Sequence, residues 1–474
     1  MWAAILRPGR VPIGFWLMIF LGSPVWGEDR MVLKEKVEVG QSARVSVTLT
    51  ARGSRPEFDS KGEKRVDREP GPNVKPGALP PSFPFQFDSQ LSWLERVRSV
   101  GPQGRIQQAV RRLERAEATI DSFRGAGQKM VVGVRPDLSL VLAERRGAGV
   151  MLISTGGPLT RSELDLIQTV GDPALLGELL PTGPVVVGDR WDLDSVIAAA
   201  LSEYDQITIN TLRAKLEALD ARAARFSLVG EVRGSVRGAT GSVALTGEAI
   251  FDRQSGLVSR LQVERAEARQ AGPVESALEV KSTLTVERTP ISVPVELSDA
   301  ALEGLPLESS PERELLLLEP PDGAYALLHD RAWHIINDSV RRVVLRRMRG
   351  GNMEAQCDLI TGPNAGRGRH QDLTQFRDDI RKGLRAEFAD FVGEGEVGGG
   401  KGGGFRYKLG VQGNEKDHGL VPLWYYYLVA GPEGDQVVAI FTLNRDVEPQ
   451  FGDQDERMIG TLEWKPAGAK ASNR

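Results

Sequence analysis

The sequence predicts an α+β protein in which a large curved antiparallel β-sheet domain precedes a sandwich of strands and helices. Four alternating apolar runs, separated by short glycine-containing turns, predict the sheet domain over 28–296. An amphipathic helix followed by two strands around a tight turn predicts the sandwich over 319–466. Between them, residues 297–318 show no such periodicity and are rich in Pro, Ser and acidic residues, so we interpret this stretch as a linker.

The first 27 residues have the pattern of a secretory signal peptide. Arg7 and Arg10 precede an apolar run over 11–21, which is shorter than the roughly 20 residues of a membrane-spanning helix. Val25 and Gly27 then supply small residues, so we expect cleavage after Gly27 and export to the periplasm or beyond. An uncleaved N-terminal anchor is the alternative. No later stretch is apolar enough to span a bilayer, so we expect no integral membrane segment after cleavage.

The composition excludes some classes of partner. The chain has 474 residues, a length that favours two or three domains. Its 60 basic and 64 acidic side chains leave no basic excess, which argues against a nucleic-acid partner. Because Cys357 is the single cysteine, no internal disulfide can form, and burial alone must hold this exported fold together.

The start of the sheet domain contains clear strand patterns and one segment of ambiguous secondary structure. Alternation over 31–50 and again from Phe85 through LSWLERV predicts two strands. The charged, Pro- and Gly-rich segment 51–84 between them predicts an exposed excursion. Residues 105–120 are ambiguous, because their Arg/Glu-rich composition suits a helix while their apolar stripe is weak. Short strands are expected over 130–134, 138–143 and 150–154.

Two helices and a four-stranded meander complete this domain. Thr160 and Glu163 form a capping-box pattern at the start of the first helix. The second helix is predicted over 194–204, with Val196, Ala200 and Tyr204 on one face. Four runs with alternating apolar residues follow, and they predict an antiparallel meander with one apolar face and one solvent-exposed face.

The C-terminal domain has a different pattern. Strands are predicted over 340–346, 354–359 and 405–411, and Cys357 faces inward on the second. A helical stripe lies between the last two strands, and its members recur every three or four residues: Leu373, Phe376, Ile380, Leu384 and Phe388. A hairpin over 422–444, a helix over 455–462 and a disordered tail over 467–474 complete the domain.

The order of these C-terminal elements resembles the PsbP/Mog-type α/β/α sandwich. Its landmarks are a strand with Trp333, a strand with Cys357, the amphipathic helix, LWYYYLVAGPEGDQV and a final DERMIG helix. The resemblance implies an α/β/α sandwich domain with a binding or accessory role. The N-terminal meander resembles, in outline, periplasmic curved-sheet proteins of the LolA/LppX-like type. That resemblance implies a sheltered lipid or other apolar ligand.

No catalytic, cofactor or metal site emerges from the motifs. Gly395 and Gly400-Lys401 match most of a P-loop, but Gly402 follows where the mechanism needs Ser or Thr, so we interpret the stretch as a loop. The four histidines lack the spacing of a zinc helix. Cys357 is interpreted as a small buried hydrophobe. A carboxylate pair for glycoside hydrolysis stays open, because sequence does not show which acids meet.

The run Trp424-Tyr425-Tyr426-Tyr427 is the one candidate ligand-binding feature, and Trp424 and Tyr426 are its candidate residues. On a strand these two side chains point to one face and Tyr425 and Tyr427 to the other. Aromatic residues on both faces favour a strand covered from both sides over an exposed platform. We therefore expect Trp424 and at least two of the three tyrosines to be mostly buried.

These observations favour an exported, non-catalytic binding or accessory protein of the cell envelope. Its partner would be a lipid or another apolar small molecule held by the meander, or an envelope protein. One alternative is a carboxylate-based hydrolase acting on an envelope or extracellular polymer, which requires acidic pairs in a cleft. The other is a purely structural or assembly module, which requires a filled sheet interior without a cavity.

Overall fold

A computed structural model describes residues 30–56, 82–122, 129–398, 404–416 and 419–465. The expected signal peptide, the expected tail and the Gly400-Lys401 pair lie outside these residues, as does most of the charged excursion. The described chain consists mostly of antiparallel β-sheets with a few short helices.

The N-terminal sheet has thirteen strands, and its pairings are antiparallel. The strands are β1 (Ser42–Pro56), β2 (Ser82–Val100), β3 (Ile106–Ser122), β4 (Lys129–Gly133), β5 (Leu140–Arg146), β6 (Gly149–Ser154), β7 (Arg190–Asp192), β8 (Gln206–Asn210), β9 (Arg213–Leu219), β10 (Ala223–Val236), β11 (Ala239–Asp252), β12 (Leu257–Arg269) and β13 (Leu278–Ile291). Their spatial order is β6-β5-β3-β2-β1-β13-β12-β11-β10-β9-β7, with β4 beside β3 and β8 beside β10. The last strand therefore pairs with the first.

Four details differ from the sequence expectation. The strand predicted over 31–50 begins only at Ser42. The ambiguous segment 105–120 is strand β3, because it pairs with β2 on one side and with β4 and β5 on the other. Strands β1 and β2 extend into the expected excursion from both ends, since their pairing continues to Pro56 and Ser82. The short strands β7, β8 and β9 are not predicted from the sequence.

One face of this sheet is covered by residues 155–204, apart from the edge strand β7 within them, and we call these residues the covering segment. It contains helix α1 (Arg161–Ile167), a 3-10 turn over Pro173–Leu179 and helix α2 (Ser195–Ser202). The predicted capping box is confirmed, because the Glu163 amide donates to Thr160 Oγ1 at 3.2 Å and the Thr160 amide donates to Glu163 Oε2 at 2.8 Å.

Helix α2 is present where the sequence predicts a helix, but a different face is buried. Ile197, Ala198 and Leu201 are the buried apolar residues, whereas Val196 and Ala200 of the predicted face are half-buried. The difference arises because α2 ends at Ser202, so Tyr204 does not continue its helical stripe.

Buried Arg–carboxylate pairs hold the covering segment on the sheet. Arg111 of β3 donates to both carboxylate oxygens of Asp172 at 2.7 Å and to Glu95 Oε2 of β2 at 2.8 Å. Its guanidinium lies 5.0 Å from the centre of the Trp93 ring. Burial alone would lower the pKa of Arg111, but the two carboxylates more than offset this effect and raise it. Glu178 of the covering segment likewise forms an ion pair with Arg145 of β5.

The opposite face of β2, β3, β5 and β6 is covered by the stretch expected to be a linker. Leu297 and Leu307 are buried there against Leu94, Val110 and Ile153. This stretch contains a short helix α3 (Asp299–Leu302) and forms part of a hydrophobic core. The remaining outer face of the sheet, over β10 to β13, is lined by polar side chains, as the alternation predicts.

The C-terminal strands form two sheets. The strands are β14 (Leu316–Leu318), β15 (Tyr325–His329), β16 (Trp333–Asp338), β17 (Arg342–Arg349), β18 (Asn352–Thr361), β19 (Phe388–Glu396), β20 (Phe405–Gly413), β21 (Pro422–Ala430), β22 (Gln436–Asn444) and β23 (Glu463–Trp464). The larger sheet has the order β16-β17-β18-β22-β21-β20-β19, and the smaller has the order β14-β15-β23. The predicted hairpin is the β21–β22 pair.

Helices cover both faces of the seven-stranded sheet. Helix α4 (Leu373–Leu384) packs on one face through Phe376 and Ile380. On the other face lie α5 (Glu448–Phe451), α6 (Gln454–Gly460) and the three-stranded sheet. The predicted amphipathic helix is present over Leu373–Leu384, but Phe388 of the predicted stripe lies at the start of strand β19 instead. The predicted last helix is present as α6.

Arginines join the N- and C-terminal parts of the chain. Arg161 of α1 donates to the carbonyls of Arg331 and Trp333 at 2.5 and 2.9 Å. Arg331 in turn donates to the Leu152 carbonyl of β6 at 2.6 Å. His329 and His334 are buried beside this junction, and burial lowers their pKa values to about 4 and about 3.

Replacing Arg111 by Met should lower the free energy of unfolding by about 3–5 kcal/mol, because Asp172 and Glu95 would be left buried without a counter-ion. Arg112→Met is the matched control, since Arg112 is exposed on the same strand. Urea unfolding of both variants measures the difference. Equal losses for the two variants would contradict the structural role of Arg111.

Stability should fall as the pH drops from above 6.5 towards 4. The unfolded histidines take up protons near pH 6.5, whereas folded His329 and His334 do not until the pH is near 4 and 3. Protonation therefore favours the unfolded chain, by at most about 1.4 kcal/mol per pH unit for each histidine.

The measurement is the free energy of unfolding from pH 7 to pH 4 for the wild type and for His334→Gln. The variant should show the shallower slope. Asp165 and Glu267, whose pKa values are raised, contribute with the opposite sign, but they are the same in both proteins and cancel in the comparison. Parallel slopes would show that His334 is not involved.

Candidate functional site

The aromatic run lies on β21 in the middle of the seven-stranded sheet, and its side chains divide between the two faces. Trp424 and Tyr426 pack under helix α4 with exposed fractions of 7% and 8%. Tyr427 is fully buried on the other face, and Tyr425 is half-buried there. The expected burial of Trp424 and at least two tyrosines is confirmed.

Close contacts account for the burial of Trp424. Gly413 of β20 lies against its ring, so that a Cβ atom at Gly413 would come within 2.7 Å of Trp424 Cζ3. Ligand binding by Trp424 and Tyr426 stays a prediction, and it requires α4 to move because the helix covers both rings.

Polar groups on the other face of β21 are paired. The Tyr427 hydroxyl donates to Asp455 Oδ2 at 2.7 Å, and the Lys408 ammonium lies 2.7 Å from the same carboxylate oxygen. Tyr425 donates to Glu448 at 2.5 Å. Asp455 is 1% exposed, so this set ties α5 and α6 to the sheet. We interpret it as structural.

Cys357 lies in the core of the same sheet. The side chain is fully buried between Leu345 of β17 and Phe441 of β22, its partners in the strand register. Burial raises the pKa of its thiol well above the ordinary value, which disfavours the reactive thiolate. Over the described ranges, no group of three or more His, Cys, Asp or Glu side chains is placed to hold a metal ion.

The apolar face of the N-terminal sheet is occupied by the protein itself. Leu176, Leu179, Ile197 and Leu201 of the covering segment are at most 1% exposed and belong to the same core cluster as the sheet residues. The place where the sequence suggests an apolar ligand is therefore filled by side chains of the chain.

A polar cleft of about 570 Å³ opens at one end of the covering segment. Its walls are helix α1, the end of α2, the β5–β6 and β10–β11 turns, the end of β12 and Glu275. We call it the junction cleft, because the β10–β11 turn also contacts the C-terminal part through Gly238 and Gly351. The charged and phenolic side chains that line it are Asp165, Asp172, Glu203, Tyr204, Asp205, Arg237, Glu267, Arg269 and Glu275.

Ion pairs connect the walls of this cleft. One carboxylate oxygen of Glu275 accepts a hydrogen bond from Arg237 at 2.6 Å, and the other lies 3.2 Å from Arg269. Glu267 lies 3.4 Å from Arg269 and 3.9 Å from Arg265. These acids and bases come from β12, from the β10–β11 turn and from the loop after β12, so the network exists only in the folded sheet.

Three polar atoms of the lining side chains are buried without a hydrogen-bond partner in the described part of the chain. They are the Tyr204 hydroxyl, Glu267 Oε1 and Arg269 Nε. Tyr204 is 2% exposed and the Glu267 side chain 8%. An unpaired buried polar group costs about 1–3 kcal/mol. Glu267 Oε1 lies 3.4 Å from Arg269 Nη1, which compensates it in part, whereas the Tyr204 hydroxyl and Arg269 Nε have no hydrogen-bond partner among the described residues.

The pKa values of the cleft reflect this environment. Burial raises the pKa of Glu267, and partial desolvation raises that of Asp165, whose side chain is 44% exposed; Glu275 adds to both shifts. Burial also raises the pKa of Tyr204 to about 12, with a further contribution from the Glu267 carboxylate. Two carboxyl groups with raised pKa values therefore line one cleft, a combination that is more frequent at functional sites than elsewhere.

The backbone at the cleft is unusual. Among the described residues, Glu203, Arg237 and Arg385 are the non-glycine residues with positive φ, and the first two line the cleft. Glu203 ends α2 at φ 65°, and Arg237 forms the β10–β11 turn at φ 48°. The Arg237 amide donates to Oδ2 of Asp205, two residues after Glu203, at 2.9 Å.

Sequence reasoning missed this cleft. The sequence predicts Tyr204 on the face of a helix and gives no indication that it meets Gly241. In the structure Gly241 lies within β11, and a Cβ atom there would come within 2.6 Å of the Tyr204 hydroxyl oxygen. The one available signal was the run of charges over 264–269 on an otherwise apolar strand face.

A second concavity, of about 690 Å³, lies on the polar outer face near Thr50, Asp88 and Lys281. Of its lining, Arg265 Nε is a buried atom without a partner in the described residues. The junction cleft has three such atoms and both shifted carboxyl groups, so it is the stronger candidate.

Comparison with known proteins does not identify the chain. No family model and no curated protein matches it. The chain is similar to a protein from Bacteroides thetaiotaomicron at 11% identity, with a TM-score of 0.23 over 32% of this chain and 49% of that one. It is similar to lipovitellin at 10% identity, with a TM-score of 0.30 over 58% of this chain and 28% of that one.

A third similarity is to the immunity protein TplEi of T6SS from Pseudomonas aeruginosa, at 12% identity and a TM-score of 0.21 over 46% of this chain and 73% of that one. The chain thus spans about half of the first protein and 28% of lipovitellin. These TM-scores are too low to support an argument, and the PsbP/Mog-type and LolA/LppX-like resemblances stay predictions. None of the described helices is long and apolar enough to cross a membrane.

Replacing Tyr204 by Phe should raise the free energy of unfolding by about 1 kcal/mol, because a buried hydroxyl without a partner is removed. Tyr407→Phe is the control, since the Tyr407 hydroxyl donates to Glu394 at 2.9 Å and its removal should be neutral or destabilising. Urea unfolding measures both. A clear loss of stability in Tyr204→Phe would mean that its hydroxyl is paired in solution.

Proposed function

We propose that the protein is an exported, non-catalytic binding protein that holds a small polar molecule in the junction cleft. The observation that carries this proposal is the polar cleft itself, which is lined by two carboxyl groups with raised pKa values and by Tyr204, whose buried hydroxyl has no hydrogen-bond partner among the described residues. Its volume of about 570 Å³ lies within the roughly 300–1,000 Å³ typical of small-molecule sites.

Export to the periplasm or beyond is part of the proposal and rests on the N-terminal sequence pattern, with cleavage after Gly27. The division into a sheet domain over 28–296 and a PsbP-like α/β/α sandwich over 319–466 is proposed with it. The helices on both faces of the seven-stranded sheet support the sandwich. The stretch 297–318 then connects two domains while packing on the first.

A polar ligand is favoured over the lipid suggested by the curved-sheet resemblance. The apolar sheet face is filled by Leu176, Leu179 and Ile197, and the cleft walls carry charges instead. The same filled interior fits a structural or assembly module, but that alternative does not account for the charged cleft. An envelope protein as partner is compatible with the proposal if it presents a polar group to the cleft.

A carboxylate-based hydrolase is the second candidate. The observation that favours it is the raised pKa of both Asp165 and Glu267 in the same cleft. A carboxyl group with a raised pKa can act as a general acid, and a second one as a base or nucleophile. The first candidate is preferred because both acids lie within ion-pair networks that involve Arg161 and Arg269.

Native mass spectrometry of protein purified from the periplasm of an expression host tests the proposed binding. We expect a co-purifying small molecule with the wild type and its loss in Ala199→Phe, because Ala199 lines the cleft and a phenyl ring there would occupy part of its space. Ala221→Phe is the matched control, since Ala221 is exposed in a turn. Circular dichroism verifies that each variant is folded.

Three other outcomes are informative. A bound molecule that Ala199→Phe retains would refute the cleft as the site. A bound lipid would restore the apolar alternative. Release of product from a glycan or peptide library by the wild type, abolished in Glu267→Gln, would replace the binding function by the hydrolase.

A further inference from the structure

We infer that the contact between the N- and C-terminal parts of the chain is sensitive to pH, and that it opens in mildly acidic medium when His329 and His334 are protonated. Opening means that the hydrogen bonds across this contact are lost while both sheets stay folded. The contact would open in this way whether or not the cleft holds a ligand. Two observations support this: both histidines are buried at the contact, and the groups around them suit neutral imidazole rings.

Arginine side chains hold the two parts together around these histidines. Arg161 of α1 donates to the carbonyls of Arg331 and Trp333, which lie between the two histidines in the chain. Arg331 donates in the opposite direction, to a backbone carbonyl of β6. Arg346 of β17 donates to the Pro273 carbonyl in the loop after β12. We call these cross-contacts the arginine junction.

His329 is bonded as a neutral ring. Its Nδ1 lies 2.8 Å from the Asp330 carbonyl oxygen, and because a carbonyl only accepts, Nδ1 carries the proton. Its Nε2 is buried without a hydrogen-bond partner among the described residues. A second proton, on Nε2, would therefore create a buried cationic donor without an acceptor. Such a group is tolerated only if the ring reaches water.

His334 faces cations from three elements. On β17, Arg346 is its direct partner in the strand register, so the two side chains share one face of the sheet. Burial lowers the pKa of His334 most, and the charges of Arg161 on α1 and Arg237 in the β10–β11 turn lower it further, as does His329. A positive charge on this ring is therefore disfavoured while the junction is closed.

The carboxylates around the histidines are already engaged by arginines. The charged groups near the two rings are Arg161, Asp165, Arg237, Glu275, Glu314, Asp330, Arg331, Arg346, Arg347 and Glu354. Each carboxylate among them lies within 3.7 Å of an arginine nitrogen. An imidazolium in the closed junction would thus find no free counter-ion among the described residues.

The sign of the effect follows from these surroundings. Burial holds the pKa of His329 at about 4 and that of His334 at about 3 in the closed junction, whereas an exposed imidazole has a pKa of about 6.5. Acid therefore favours the open state. Between pH 7.5 and pH 5, each histidine should raise the ratio of open to closed protein about 30-fold, and both together about 1,000-fold.

Double electron–electron resonance between two spin labels tests the opening. The labels are attached to Ala221→Cys in the N-terminal part and Val340→Cys in the C-terminal part, because both positions are exposed. Cys357 is fully buried and should stay unlabelled. We expect one narrow distance distribution at pH 7.5 and a second component at pH 5. From pH 6 to pH 5 the ratio of open to closed protein should rise about 50-fold, as expected for uptake of nearly two protons.

Histidine variants test the assignment. His329→Gln and His334→Gln should each reduce the rise between pH 7.5 and pH 5 from about 1,000-fold to about 30-fold. His370→Gln is the matched control, since His370 stacks on Phe405 in the loop before α4, and it should leave the rise unchanged. Asp165, whose pKa is raised, acts in the opposite direction but is the same in all these proteins.

Circular dichroism in the near ultraviolet verifies that each protein stays folded over the same pH range. If one histidine variant does not fold at pH 7.5, the other variant and the steepness of the wild-type transition still test the inference. An unchanged distance distribution down to pH 5 would overturn it. So would an opening that both histidine variants retain, an equal loss in His370→Gln, or an opening that coincides with loss of the circular dichroism signal, which would be unfolding.

Discussion

The ion pair of Arg111 with Asp172 and Glu95 is the interaction on which the arrangement of the N-terminal sheet depends. It joins two neighbouring strands to the covering segment through three hydrogen bonds in a region that water does not reach. A buried charge is tolerated only when it is paired. If the covering segment left the sheet, Arg111 would either become exposed to solvent or stay buried without Asp172. The geometry of Asp172 is constrained further, since its carboxylate also accepts the Ala174 amide at 2.9 Å.

This constraint determines where the cleft lies. Asp172 forms part of the cleft lining, helix α1 supplies Asp165, and the residues just after α2 supply Glu203 and Tyr204. The other wall belongs to the sheet and is formed by Glu267 and Arg269 of β12. Since the segment is held at Arg111, these two sets of side chains face each other at a fixed separation. The C-terminal part closes the same end of the molecule through Arg161 and the Gly238–Gly351 contact.

Local patterns in the sequence predict many individual elements but not their partners. The capping box of Thr160 and Glu163 lies within four residues, and the stripe that contains Phe376 and Ile380 lies within one helix, so both are visible without the fold. Strand β3 is ambiguous because its arginines are typical of an exposed helix. Arg111 is instead buried, and this follows from a carboxylate that is 61 residues away.

The sequence by itself determined the periodicity of the strands and helices, the burial of both faces at Trp424 and Tyr427, and the near balance of charge. These properties depend on residues that are close together in the chain. Only the tertiary structure decided that the apolar sheet face is filled and that the polar groups meet in a cleft. The residues of the cleft come from segments between 148 and 275, and the pairing of β10 to β13 and the docking of α1 and α2 bring them together. Such long-range contacts arise from register and packing, which no local pattern encodes.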